Sequence, residues 1–359
     1  MVKNFYIFIL LCVFFLHNYS WAQTQSERIN SLEEEMASLR DEITESKFIK
    51  STNSKKMNLG GYLTMQASGI SGQNSPASVR KIELETIISG EMFENLKYFS
   101  EVEVELESSL GDTKHTGDRL YGVGEDIVKL ERLWLSYQTN QYIGVRSGLF
   151  FTPMGIANRL HYQPVILTSD RPLFLRNGLF VRRFTGVSIV GKLNDYLNYE
   201  LYGGSDIDVI QTPFVGGFYL GFDLSNIVPM RVGLSNQNSQ SISDGSLNVY
   251  GIDTNVEWNN FLFKAEYFVD DLNGEGYYIQ PSFKTKRWRF FFRQEFADTN
   301  KLIDKDDDHK RQSFGLNYLF AGDKRIKIDH QKYTYTKKQD VNNKDKDYSK
   351  LVLELSLTF

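Results

Sequence analysis

"KYFSEVEVELE", Lys97–Glu107, alternates without a break once it passes the aromatic pair. On a strand, Val102, Val104 and Leu106 share one face, and Glu101, Glu103, Glu105 and Glu107 share the other. The preceding segment repeats the pattern, with Ile82, Leu84 and Ile88 set against Lys81, Glu83 and Glu85. Nearer the C-terminus, "KRWRFFFRQEF" places Trp288, Phe290, Phe292 and Phe296 opposite Arg287, Arg289, Arg293 and Glu295. Ile326 and Ile328 likewise stand opposite Arg325, Lys327 and Asp329. The charged faces must meet water or one another. They cannot meet lipid, because an Arg or Lys turned to it at the bilayer midplane costs roughly 2–4 kcal/mol, so the apolar faces are left to meet the apolar medium.

From Leu59 onward the period is two, and sixteen strands can be read, most of them 9–13 residues long. That length suits a tilted strand crossing a bilayer. Connections after even-numbered strands are short, as at Asn194–Asp195 or Asn259–Asn260. Those after odd-numbered strands are mostly long, and 238–245 and 271–274 are counted in that set. A soluble β-sandwich has no reason to sort its loops this way, whereas an outer-membrane barrel does. The expected fold is therefore all-β: a sixteen-stranded antiparallel transmembrane β-barrel over 59–359, preceded by a short coiled-coil helix. The final stretch "LVLELSLTF" closes it against the first strand near Leu59–Gly69, which removes both sheet edges. Leu351, Leu353, Leu355 and Leu357 then face outer-membrane lipid, and Phe359 joins the periplasmic aromatic girdle. A C-terminal aromatic also resembles the signal that barrel-assembly machinery recognises.

The N-terminus points to the same compartment. Lys3, the apolar run "FYIFILLCVFFL" and the small residues of "SWA" make 1–22 a signal peptide cut after Ala22. The alternative, a membrane anchor, would need a longer run of ~20 residues. The only cysteine, Cys12, lies in this segment, so the expected mature chain has no disulfide and no cysteine metal site. Residues 23–50 follow as a periplasmic coiled coil, with Ile29, Leu32, Met36, Leu39 and Ile43 spaced as an a/d seam. A single amphipathic helix packed on the barrel is the other reading. Residues 51–58 read as a linker. A formal net charge of −4 gives no pull towards nucleic acid.

One connection stands apart. Phe151–Arg183 runs for 33 residues, and surface connections are rarely so long without a function. It occupies the place of the third external loop, which in sixteen-stranded porins folds inward and narrows the channel. It carries Arg159, Arg171, Arg176, Arg182 and Arg183, opposed only by Asp170. Together with Arg287, Arg289, Arg293, Arg325 and Lys327 on the wall, these are the candidate pore and anion-binding residues. Arg presents planar donors suited to carboxylate and phosphate oxygens, and a ring of such charges selects anions. Glu83, Glu85, Glu101, Glu103 and Glu105 form an acidic wall on the second and third strands. Two quieter readings stand beside this: the acids and bases neutralise each other in a plugged barrel, or some loop arginines tether the loop to those glutamates.

Several stretches resemble the phosphate-selective porin O and P family. "RKIELETIISGEMFENLKYFSEVEVELE" is similar to its first hairpin. "LERLWLSYQTNQYIGVRSGLFFTPMGIANR" is similar to the next, whose hallmark Gly-x-Phe and Pro-x-Gly are here Gly148, Phe150, Pro153 and Gly155. "RRFTGVSIVGKL" resembles the strand that returns after the constriction loop. The likeness covers 59–359 and is specific over 80–193. It implies a homotrimeric channel selective for small anions, phosphate among them. The chain departs from the family in one respect: the type members use lysines on the constriction loop, and none lies between Phe151 and Arg183 here.

Three functions compete on this reading. The first is passive diffusion of small anions through the narrowed lumen, with a non-selective porin as its plainer form. The second is a tether that uses the periplasmic coil. The third, an outer-membrane hydrolase, finds no support: His115, His161, His309 and His330 have no clear serine or acid partner in the sequence. No catalytic residue, metal ligand or cofactor is assigned.

Overall fold

The structure, a computed structural model, describes residues 49–50, 57–71, 77–93, 95–107, 128–176, 178–207, 214–241, 245–298, 309–321, 324–335 and 347–359. The signal peptide 1–22, residues 23–48 of the expected coiled coil and most of the linker 51–58 lie outside the described residues. The last two residues of the expected coil, Ile49–Lys50, instead pair antiparallel with Gly60 and Leu59.

Sixteen antiparallel strands form one closed barrel. The first five are β1 Asn58–Ile70, β2 Ser78–Phe93, β3 Leu96–Glu107, β4 Val128–Gln138 and β5 Gly144–Phe151. The inward loop follows, with two short helices, α1 Gly155–Arg159 and α2 Leu173–Arg176. Next come β6 Arg183–Asn194, β7 Leu197–Asp206, β8 Phe214–Asp223, β9 Met230–Ser241, β10 Gly245–Trp258 and β11 Phe261–Asp270. The chain ends with β12 Glu275–Thr285, β13 Trp288–Asp298, β14 His309–Ala321, β15 Lys324–Tyr335 and β16 Tyr348–Thr358. Every strand pairs with its sequence neighbours, and β16 closes on β1 with Leu355 opposite Met65 and Thr358 opposite Tyr62.

The turns explain the meander. Asn95, Asn259 and Lys286 sit in tight connections with φ of 65°, 54° and 48°, a left-handed conformation that Asn accepts more readily than most side chains. The expected division of loop lengths holds except at two places. Only 242–244 separate β9 from β10, and only 271–274 separate β11 from β12, so both connections are as short as those on the other rim. β9 and β10 run on because their side chains continue the pairing: the Asn238 amide donates to Asn248 Oδ1 at 2.7 Å, and that of Asn236 to the Val249 carbonyl at 3.2 Å.

Inside and outside follow the strand period. Leu84, Leu106, Leu353 and Ile328 are exposed on the outer wall, while Glu83, Glu85, Glu354 and Asp329 are buried inside it. The exposed apolar surface runs round the whole barrel, far beyond the patch a soluble monomer carries. Exposed aromatics gather beside the short turns: Tyr137, Tyr196, Trp258, Phe261, Trp288 and Phe359. This is the girdle that marks a membrane–water interface. The principal buried apolar cluster lies in the lumen. Leu173, Phe174, Leu175, Leu179 and Phe180 of the inward loop pack on Val249, Phe268, Tyr278, Ala297 and Tyr333 of the wall.

Candidate functional site

A loop buried inside a barrel has lost water as a partner for its backbone, so each N–H and C=O must find one elsewhere. The wall supplies them around much of the circumference. On β13, Arg293 donates to Thr168 Oγ1 at 2.7 Å and to the Asp170 carbonyl at 2.8 Å. Its Nε lies 2.5 Å from Glu295, which in turn accepts the Leu173 N–H at 2.9 Å. On β14, Arg311 donates to the Arg171 carbonyl and Asn317 to the Leu167 carbonyl. On β15, the Lys327 ammonium reaches the Gln163 carbonyl at 2.6 Å, and Asp329 accepts the Ser169 N–H at 3.1 Å. Across the lumen, Gln237 of β9 both accepts from Val181 N–H and donates to its carbonyl, at 2.8 and 2.9 Å. Glu266 of β11 accepts the Ala157 N–H and the Tyr278 hydroxyl, each at 2.7 Å.

Two glycines let the loop enter this way. Gly148, in β5, has φ +138°, and a Cβ there would lie 2.7 Å from Trp134 Cα. Gly155, at the head of α1, has φ +68°, and a Cβ there would meet the Glu266 carboxylate and lie 2.6 Å from the Phe268 ring. Both positions exclude a side chain twice over, by conformation and by space.

Asp170 is the loop's main ionic anchor. Its carboxylate lies 3.0 Å from Lys350 and 3.6 Å from Arg311. Burial disfavours its charge, but Lys350, Arg311 and Arg176 outweigh burial and hold the carboxyl well below the usual carboxylate range. Arg171, one residue on, faces the other wall. Burial works against its cation, yet Glu103, Glu131, Glu83 and Glu105 together keep its pKa above the ordinary value.

The remaining predicted residues distribute as follows. Arg159 donates to Tyr219 Oη at 3.0 Å and lies over its ring. Arg176 ends α2 on the Asp170 side, and Arg182 is half-buried, 5.7 Å from the Phe151 ring centroid. Arg183 opens β6 and sits 3.1 Å from Glu131. Arg289 is half-buried on β13, and Arg325 is buried on β15. Arg287 does not join them. It lies exposed in the two-residue turn between β12 and β13, because the strand ends one residue earlier than its charge pattern implies.

The acidic wall is heavily partnered. Lys81 lies 2.5 Å from Glu83 and 3.4 Å from Glu105, and Lys129 lies 3.4 Å from Glu103. Glu101 takes Arg132 through one oxygen and His161 Nε2, at 2.8 Å, through the other. Three inward charges, Glu131, Arg132 and Arg311, escaped assignment as pore residues in the sequence. Glu131 and Arg132 are adjacent, and strict alternation would send one of them to lipid. A register shift opposite Glu101 and Val102 turns both inward. Arg311 was legible: it shares parity with Ser313 and Asn317, opposite Phe314 and Leu316. His309 is the first residue of β14.

The loop and both charged walls therefore form one connected arrangement, with an apolar half around Phe174 and a polar half around Asp170 and Glu101.

No protein-family model matches the chain. A protein of Aquifex aeolicus (strain VF5), described as uncharacterized, is 29% identical over 150 residues, 41% of this chain. The matched stretch spans only 32% of that relative's length. Among solved structures, OprB of Pseudomonas putida superposes with a TM-score of 0.67 at 8% identity, over 85% of this chain and 94% of that one. The anion-selective porin from Comamonas acidovorans gives 0.60 at 11% identity, over 84% and 99%. The trimer form of OmpT, an outer membrane protein of Vibrio cholerae, gives 0.59 at 12% identity, over 84% and 99%. At these identities the likeness is one of fold, and the fold is that of a sixteen-stranded outer-membrane porin barrel.

Proposed function

We propose that this chain is an outer-membrane porin that lets small anions, phosphate among them, diffuse passively through a lumen narrowed by the loop Phe151–Arg183. The observation that carries this reading is the loop itself, folded into a closed, lipid-faced barrel and fastened to the wall by charged side chains. A barrel serving only as an anchor has no need of a constriction. The loop carries five arginines against one aspartate, a balance that favours anions. The anion-selective porin among the structural neighbours has the same fold. We further propose that the chain forms a homotrimer, with a coiled coil of 23–48 on the periplasmic side.

A second reading has its own support. Arg293, Arg311 and Lys327 spend their hydrogen bonds on loop carbonyls and on Glu295 and Glu354. Bases engaged in this way discriminate weakly between solutes, which favours a general diffusion pore.

Planar-bilayer recording in a KCl gradient separates the two. A reversal potential on the chloride side supports the anion channel, a value near zero supports the general pore, and cation preference overturns both selectivity readings. Absence of any conductance overturns the porin assignment.

A further inference from the structure

We propose that Glu85, Glu101 and His161 form a site for a zinc-class divalent cation that pins the inward loop to the acidic wall. The three come from different elements: Glu85 from β2, Glu101 from β3 and His161 from the loop. All are buried, and one donor atom from each lies within 4.8 Å of the others. Four-coordinate zinc, with bonds of about 2.0–2.2 Å, sets its donors about 3.3 Å apart. His161 Nε2 and Glu101 Oε1 are now 2.8 Å apart, so the site needs a small opening on that edge and a closing of up to about 1.5 Å on the others.

Glu85 supplies an independent reason. It is fully buried and, among the described residues, no basic side chain pairs with it. Its Oε2 accepts the Tyr62 hydroxyl, at 3.3 Å, its Oε1 receives no donor, and its other close neighbour is the Glu101 carboxyl, near enough to share a proton with it. A carboxylate so placed is costly unless a cation or a proton joins it. The neighbouring bases are committed elsewhere: Lys81 to Glu83 and Glu105, Lys129 to Glu103 and Glu105, and Arg132 to the far oxygen of Glu101. Arg132 thereby leaves Glu101 Oε1 turned towards His161. His161 Nδ1 is a second buried atom without a partner, so the ring can carry its proton there while Nε2 binds.

One imidazole with two carboxylates suits zinc and disfavours calcium and magnesium, which prefer oxygen donors alone. Three protein ligands leave one position for water, as in zinc sites that are not purely structural. With His161 as the loop's ligand, occupancy would add a link on β3, separate from the Asp170 anchor on β14 and β16.

The test is calorimetric titration of untagged, full-length protein in detergent with Zn2+, using Ca2+ and Mg2+ as controls. The heat-modifiable mobility of each variant reports that its barrel has formed. The expected result is one Zn2+ per chain, bound at least tenfold more tightly than either control ion. His161→Ala and the near-isosteric Glu85→Gln should each weaken it at least tenfold, while Glu105→Gln should leave it unchanged. Absence of stoichiometric zinc binding would overturn the site and leave Glu85 with a proton instead. So would binding that survives both His161→Ala and Glu85→Gln, or that only Glu105→Gln removes, which would place the ion at Glu83, Glu103 and Glu105.

Discussion

The Lys327 ammonium lies 2.7 Å from the Glu354 carboxylate, and neither side chain is exposed. The two face each other across β15 and β16, and the same ammonium also holds the loop at Gln163. Lys327→Met should lower the barrel's unfolding free energy by about 3–5 kcal/mol, because it strands a buried carboxylate. Adding Glu354→Gln should recover part of the loss. Urea-induced unfolding of the single and double variants, read by tryptophan fluorescence, measures both effects.

Arg293 joins the wall to two successive parts of the loop, Thr168 and Asp170. Arg293→Ala should loosen that segment, and single-channel recordings should show larger conductance with more flicker than the wild type. Unchanged conductance would mean that the loop is held by its apolar side alone.

The Asp170 carboxyl is depressed in the folded protein, so its contribution to stability is present in full above the unfolded carboxylate value of about 3.9. That contribution is lost as pH falls from there through the lower folded value. The stability difference between wild type and Asp170→Asn should therefore be flat from pH 8 to pH 5 and shrink below about pH 4. Denaturant midpoints measured across that range give the curve.

Gly155→Ala meets the Glu266 carboxylate and Phe268 at a residue whose φ is +68°. A loss of about 1–3 kcal/mol is expected from the conformation alone. Gly178→Ala is the control: its φ is +72°, but a Cβ there meets nothing within 4 Å. Thermal unfolding should rank Gly155→Ala well below Gly178→Ala.

Much of this was legible before any coordinates, for a definite reason. Strand parity is a local property, so Glu83, Glu103, Arg293 and Lys327 could be assigned to the lumen from their own neighbours. The Gly-x-Phe and Pro-x-Gly hallmarks carry backbone information too, since Gly148 and Gly155 both take a positive φ, Gly148 within the fifth strand and Gly155 at the head of α1. What local pattern could not give was partnership. The loop's arginines drew attention by their charge, while Leu173, Phe174 and Phe180, which carry its buried apolar side, went unremarked. Arg287 has the parity of a lumen residue but lies beyond the strand end, where parity no longer applies.

The distance along the chain from Asp170 to Lys350 has a consequence for assembly. The loop follows the fifth strand, but the anchors of its 163–173 part are on the thirteenth to the sixteenth. Until those strands are in place, that part of the loop lacks its partners, and the carbonyls of Gln163, Leu167, Asp170 and Arg171 must stay in water. Such long-range contacts come late and slow folding. The sixteenth strand, which seals the sheet against the first, also brings Lys350 to Asp170 and sets Glu354 beside Lys327. Zipping the cylinder shut and fastening the Asp170 end of the inward loop thus come together, and a barrel that has not closed holds that loop only in part.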